Sequence, residues 1–336
     1  MDSAVKKVNF IAPELINYNM QLFTSFRIAG FIVLEVIISF GCSNQNATDS
    51  PFTVRENKQG IELLENDHPV FFYQREPKAS TEKYFFNNYL HPLYDLKGDT
   101  LTEEFPEDHL HHRGIFWAWH QVYIDDKEIG DNWMMENISL DVVSANTKMD
   151  DKEAQLNVVV LWKSSGIQNG QPFLEERTSI VVHQQQSHSR KIDFEISLKA
   201  LVPGVQLGGS ADVKGYGGFC ARIKLPKSLV FTSAQGSVTP MEGQVIAGAW
   251  LDFSSLDSTR KTESGMAILC HPGTPNYPAP WILRQTGSMQ NIVFPGTSRI
   301  EISMEKPTVL RYRLVIHDGN ANQADIAALQ AEYELQ

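Results

Sequence analysis

Residues Glu107 to Gly114 read EDHLHHRG, three histidines, two acids and an arginine in eight positions, and the apolar run IFWAWH follows at once. Histidine titrates near neutral pH, a neighbouring acid sets its tautomer, and arginine is a permanent fork of donors for hydroxyl, carboxylate or keto oxygen. The octapeptide therefore suits acid/base chemistry or the binding of a small polar ligand. A metal is the second possibility. On a strand, His109 and His111 project to one side and His112 to the other, and two imidazoles on one side can share a metal ion. Two ligands are too few, and the spacing does not select among Asp108, Glu107, His91, His120 and His271 to complete the set. A cupin-type site follows its His-x-His with a glutamate, where this chain has Arg113, Gly114, Ile115 and Phe116, and Arg113 would repel a cation. The acid/base reading is the stronger of the two, with no cofactor expected. The plainest alternative is a polar loop that ties down strand ends.

Trp117, Trp119, Tyr123 and Trp133 follow the cluster, and the two tryptophans at 117 and 119 share one strand face with Ile115. Such rings serve either as platforms for a sugar or as core.

The elements that must position these groups are strands. In KIDFEISLKALV, Ile192, Phe194, Ile196, Leu198 and Ala200 alternate with Asp193, Glu195, Ser197 and Lys199, the pattern of a half-buried antiparallel strand. LNVVVLWKSS from Leu156, TSIVVHQQ from Thr178, FCARIKL from Phe219, RIEISMEK from Arg299 and VLRYRLVIH from Val309 read the same way. No regular alternation of strand and helix and no Gly-rich phosphate loop is visible. The expected fold is all-β, a large antiparallel β-sandwich. One helix is expected over residues 323 to 335, capped by Asn322, with Ile326, Leu329 and Tyr333 on its buried face.

A chain of 336 residues with a formal charge of −11 has no basic surplus to attract nucleic acid or anionic lipid. Its start carries an address. IAGFIVLEVIISF, from Ile28 to Phe40, is preceded by Arg27 and followed by GCSNQNATDS, and it falls short of the ~20 apolar residues that a spanning helix needs. Gly41 before Cys42 and the polar tether behind it resemble a bacterial lipoprotein signal, with Cys42 lipidated. Glu35 inside the run and Ser39 near its end depart from that pattern, and Met20 offers a later start. The organisation expected is a leader over 1–42, a tether over 43–51 and one β-sandwich domain over 52–336, in the periplasm or cell envelope. Cys220 and Cys270 are then the cysteines of the folded part, and two buried small hydrophobes describe them better than a disulfide.

The stretch YLHPLYDLKGDTLTEEFPEDHLHHRGIFWAW, from Tyr89 to Trp119, resembles the PmoA-type ("methane oxygenase PmoA") domain family, with its His-Pro-x-Tyr segment and Asp-His-x-His-His-Arg-Gly. LEERTSI, GGFCARI, AWLDFS and HPGTPNYPAPWILR continue the resemblance in order. It implies a sugar-binding sandwich of the galactose mutarotase type and a carbohydrate as ligand. After Pro280 the chain departs from the pattern, with Trp281, Ile282, Leu283 and Arg284 where Trp-His-Val-Arg is common.

These readings combine into a lipid-anchored protein acting on a sugar or keto-sugar by mutarotase-, lyase- or hydrolase-like chemistry. Arg113, Arg222 and Arg284 would fix ring oxygens, and His111 or His271 would move a proton. Glu176 or Asp108 would be the partner base, and His91, His109, His112, Trp117 and Trp281 would contact the substrate. Glu175 and Glu176 face opposite sides of a strand and cannot be a glycosidase pair. A non-catalytic glycan binder using Trp117, Trp119 or Trp281, and a metal-dependent oxygenase, are the alternatives. The leading reading requires Arg113, His111 and His271 to meet in one hollow.

Overall fold

The computed structural model describes residues 50–82, 84–167, 170–224, 229–257, 262–285 and 289–336. The leader, Cys42 and the tether up to residue 49 lie outside the described residues. From there on, strict alternation builds the long strands: in Ser189–Ala200 the residues Ile192, Phe194, Ile196, Leu198 and Ala200 are all buried.

Among the described residues two large antiparallel sheets dominate. One has eight strands, in the order Phe52–Glu56, Gly60–Glu65, His68–Gln74, Tyr89–Leu93, Ile115–Trp119, Gly217–Arg222, Met289–Val293 and Trp281–Ile282. The other has nine, in the order Ile138–Met149, Glu153–Ser164, Pro172–His183, Ser189–Ala200, Thr308–Asp318, Thr262–Cys270, Trp250–Asp257, Val230–Ser233 and Gly236–Ser237. A four-stranded sheet and a two-stranded one complete the fold. The inner faces of the two large sheets share one core, in which Ile115, Trp117, Trp119 and Phe219 meet Trp162, Phe194, Ile196 and Tyr312. The all-β sandwich is therefore what this chain forms. RIEISMEK contributes only the two-residue strand Ile300–Glu301.

The helix spans Ile326–Tyr333 and packs Ile326 and Tyr333 on the outer face of the nine-stranded sheet, against Trp250, Ala267, Leu269 and Val315. Asn322 does not cap it. The helix starts after Asp325, which holds φ at 51° with no side-chain cap, and the Asn322 backbone N–H donates instead to Asn320 Oδ1 in the preceding turn. Cys220 and Cys270 are buried and free.

The outer face of the eight-stranded sheet is also covered. Phe116, Ala118, Cys220 and Met289 alternate outward and pack with Phe86, Tyr89 and Trp133 in a second apolar cluster. The segment between the strands Tyr89–Leu93 and Ile115–Trp119 lies over this cluster and carries the histidines.

Candidate functional site

EDHLHHRG forms turns ahead of the strand Ile115–Trp119, not strand: the His109 N–H donates to Pro106 O at 2.9 Å and the His112 N–H to His109 O at 3.0 Å. Alternation therefore does not govern its side chains, and all three imidazoles pack together. His109 and His112 stack with ring centroids 4.5 Å apart and planes 4° from parallel, and His111 meets His112 edge-on at 4.5 Å. Stacked rings keep their nitrogen lone pairs in parallel planes, which does not favour chelation of one ion. Among the described residues no group of three or more His, Cys, Asp or Glu is arranged to hold a metal. Gly114 closes the segment at φ +51°, where a Cβ would lie 1.9 Å from Leu90 O, so only glycine lets the loop pass under the neighbouring strand.

Two arginines hold this loop from below. Arg222, at the end of the strand Gly217–Arg222, donates from Nε to Glu103 at 2.9 Å, from Nη1 to His112 Nδ1 at 3.1 Å and from Nη2 to Asp108 at 3.0 Å. Arg113 is sealed, its guanidinium carbon 4.5 Å and 4.3 Å from the ring centroids of Phe86 and Phe116, and Nη1 donates to the backbone oxygens of His111 and Trp133. Burial pushes its pKa down to about 10, and Nε has no hydrogen-bond partner among the described residues. Neither arginine is an open fork for ligand oxygens; both position the histidines.

The histidines open on a hollow of about 300 Å³. His120, which leaves the strand Ile115–Trp119, joins them, with Nδ1 2.8 Å from Asp131 and its ring stacked on Trp133 at 4.9 Å. His109 makes the matching contact to Asp108 at 2.9 Å. Each carboxylate fixes its ring and leaves Nε2 as the remaining nitrogen. Half-buried His111 has no acid in hydrogen-bond contact among the described residues: burial, then the neighbouring His109 and Arg113, hold its pKa down to about 4 against the pull of Asp131. His112 is lowered further, by burial and then by His111 and His109. At neutral pH both rings are therefore uncharged.

The opposite wall comes from Lys214, Tyr216 and Arg284. Asp212 organises it, accepting from Ser210 Oγ at 2.7 Å and from the Lys214 N–H at 3.0 Å, and Gly215 at φ +65° turns the chain toward Gln244 and Thr297. Arg284 lies 5.6 Å from the Tyr216 ring centroid and is pinned by the carbonyls of Met241, Leu283 and Glu242.

The structure brings together His109, His111, His112 and Arg284 from the sequence-predicted set, with Asp108, Arg113 and Arg222 behind them. It does not bring the rest there. His271 lies on the outer face of the nine-stranded sheet, in a separate hollow with Asp193, Glu195, Arg311 and Tyr333. The core stands between it and His111, so no hollow among the described residues holds Arg113, His111 and His271 together. His91 lines a third hollow with Thr102, Glu104 and Lys224, on the far side of the histidine loop. Glu176 is sealed between the large sheets, and Trp117 and Trp281 face the core, 3% and 0% exposed. Glu175, the neighbour of Glu176, faces outward and pairs with Arg177. Lys214, Tyr216 and Asp131 belong to the site and carry no signal in the sequence. His120 had one, as the last residue of the IFWAWH run.

The chain belongs to the Family of unknown function (DUF6807), whose model matches residues 60–331. This corrects the resemblance to the PmoA-type family: the model that matches most of the chain is a different, uncharacterised one. No curated protein matches. Among solved structures, a candidate mutarotase (YeaD) from Salmonella typhimurium shares 10% identity over 79% of this chain and 94% of that one, with a TM-score of 0.31. The GH36 alpha-galactosidase AgaB from Geobacillus stearothermophilus shares 7% over 80% of this chain and 42% of that one, with a TM-score of 0.32. Likeness this distant carries no argument about activity.

Proposed function

We propose that this member of the family is a carbohydrate-processing enzyme in which His111 acts as general base on a sugar or keto-sugar. One observation carries the reading: an uncharged, half-buried imidazole faces a donor-rich hollow between two imidazoles that carboxylates orient. A base with a pKa near 4 resembles the carboxylates that remove protons beside carbonyl groups. His120 or His109 would return the proton, each held by its acid. The hollow's volume suits a ligand at the small end of the range, of the order of one or two sugar rings. Tyr216 and Trp133 supply aromatic walls. No carboxylate lines the hollow among the described residues, which favours proton transfer over the paired carboxylates of a glycosidase. The glycan-binding alternative has less support, because Trp117, Trp119 and Trp281 present no ring to solvent.

The test is an NMR screen of sugars and 3-keto-sugars in D₂O with the wild type and His111→Ala. The expected result is binding to both proteins, with loss of the carbon-bound proton adjacent to the keto group only in the wild type. Absence of any sugar binding would overturn the reading.

The envelope location is part of the same proposal, with Cys42 as the lipid anchor. Mass spectrometry of the mature N-terminus should find an acylated Cys42; an intact N-terminus at Met1 or Met20 counts against it. Among the described residues no helix is long and apolar enough to cross a membrane.

A further inference from the structure

The hollow differs in charge from the molecule that bears it. The chain carries a formal charge of −11, which repels anions at a distance. Yet Lys214 and Arg284 line the hollow and no acid does, among the described residues. Four acids around it are engaged by other groups. Asp108 and Glu103 bind Arg222, and Asp131 holds His120. Asp212, whose charge Lys214 feels, accepts from Ser210 Oγ and from the backbone N–H groups of Lys214 and Gly215. Neither Lys214 nor Arg284 has an acid within ion-pair distance among the described residues.

One of the two cationic groups is also held in place. Arg284 donates to three backbone carbonyls, which fix the guanidinium without neutralising it. The backbone that carries Lys214 is fixed too, because Gln244 Nε2 donates to its carbonyl at 2.9 Å. Carbonyl dipoles orient a cation, but they leave its charge for an anion to meet. The uncharged His111 ring on the facing wall offers a neutral hydrogen-bond donor and acceptor, as sugar hydroxyls require.

We infer that the hollow takes an acidic carbohydrate, a sugar ring bearing a carboxylate, with Lys214 and Arg284 binding the carboxylate and the histidine wall facing the ring. This rests on the carbohydrate reading above and narrows its substrate class. A neutral sugar would leave two partly desolvated cations unmatched. A carboxylate meets both, and its charge-assisted bonds are the stronger ones available there.

The test uses the full chain, with D-galacturonate and D-glucuronate against D-galactose and D-glucose, followed by calorimetry or ligand-observed NMR at low ionic strength. The acids should bind at least about tenfold more tightly than their neutral counterparts. Lys214→Gln should remove that preference, with its thermal midpoint as the check on folding. Arg284→Gln should act in the same direction, with its melting curve as the check on folding. Equal affinity for acidic and neutral sugars, or an undiminished preference in Lys214→Gln, overturns the inference and leaves the carbohydrate reading standing. If no sugar of either kind binds, both fall together.

Discussion

Between the two large sheets the Glu176 carboxylate accepts from Asn88 Nδ2 at 2.8 Å, Trp117 Nε1 at 2.8 Å, Thr178 Oγ1 at 2.9 Å and Trp162 Nε1 at 3.0 Å. On the outer face of the eight-stranded sheet, His109, His111, His112 and His120 gather as densely, but their hollow opens to solvent and two cations without an acid partner among the described residues face it. Both are polar clusters built on strands. The first is closed: every oxygen is used, no water reaches it, and it ties Trp117 of one sheet to a strand of the other. In the second, buried arginines and acids hold the loop from behind while the lining keeps groups turned toward the hollow. A saturated buried network is architecture, whereas groups fixed by their own partners and left facing space are poised for a ligand. Sequence alone cannot separate the two, because a glutamate and a histidine each read as candidate acid or base.

Substitutions should separate them, and the largest effect belongs to the core. Glu176→Leu leaves four buried donors without an acceptor, so urea unfolding should show a loss of about 3 kcal/mol or more. A loss below about 1 kcal/mol would mean that the carboxylate does not join the sheets. His111→Ala is the converse case. Turnover should fall about a hundredfold or more, with stability changed by less than about 1 kcal/mol. If unfolding and turnover moved together, the contrast between the regions would be lost.

Arg222→Lys tests the support beneath the site. A lysine cannot reach Glu103, Asp108 and His112 at once, so turnover should drop about tenfold while the variant stays folded. The ring signals of His109 and His112 should shift as well. Unmoved signals would show that the loop holds itself.

The smallest expected effect is on pH dependence. His91, His111, His112 and His271 all have pKa values below that of a free histidine, with burial as the largest cause in each. The unfolded chain therefore binds more protons than the folded one below about pH 6.5, so stability declines as pH falls from there toward the folded values. For His111 the window closes near pH 4, and His111→Ala should make the decline shallower between those limits. An unchanged slope, or an NMR titration of His111 near pH 6.5, would show that its ring is not held neutral.

Much of the fold was legible in the chain. The alternation in KIDFEISLKALV places each apolar residue of Ser189–Ala200 in the core, and Ile115, Trp117 and Trp119 do share one buried face. The helix was legible in its apolar spacing but not in its start, because Asn322 takes part in a turn of its own. At the site, EDHLHHRG stood out by composition. Its geometry did not follow, since a loop of turns has no periodicity to read. Arg113 and Arg222 looked like ligand forks. They are buried supports, because the loop passes over them and brings its own acids and carbonyls within reach.

What the sequence determined by itself is the type of each surface: period-two patterning sets which residues turn inward, and that alone yields an antiparallel sandwich. What only the tertiary structure decided is which distant polar groups share a space. His111 and His271 are equivalent in sequence terms, yet each sits in a loop beside a strand of a different sheet, and the two lie in separate hollows on opposite outer faces. Antiparallel pairing sets Lys214 and Tyr216 at the Trp119 end of adjacent strands and the histidine loop and Arg284 at the Ile115 end, so these groups meet over the outer face of the sheet and not at one end of it. Register within a strand is local and can be read along the chain. Adjacency between strands is a property of the folded sheet.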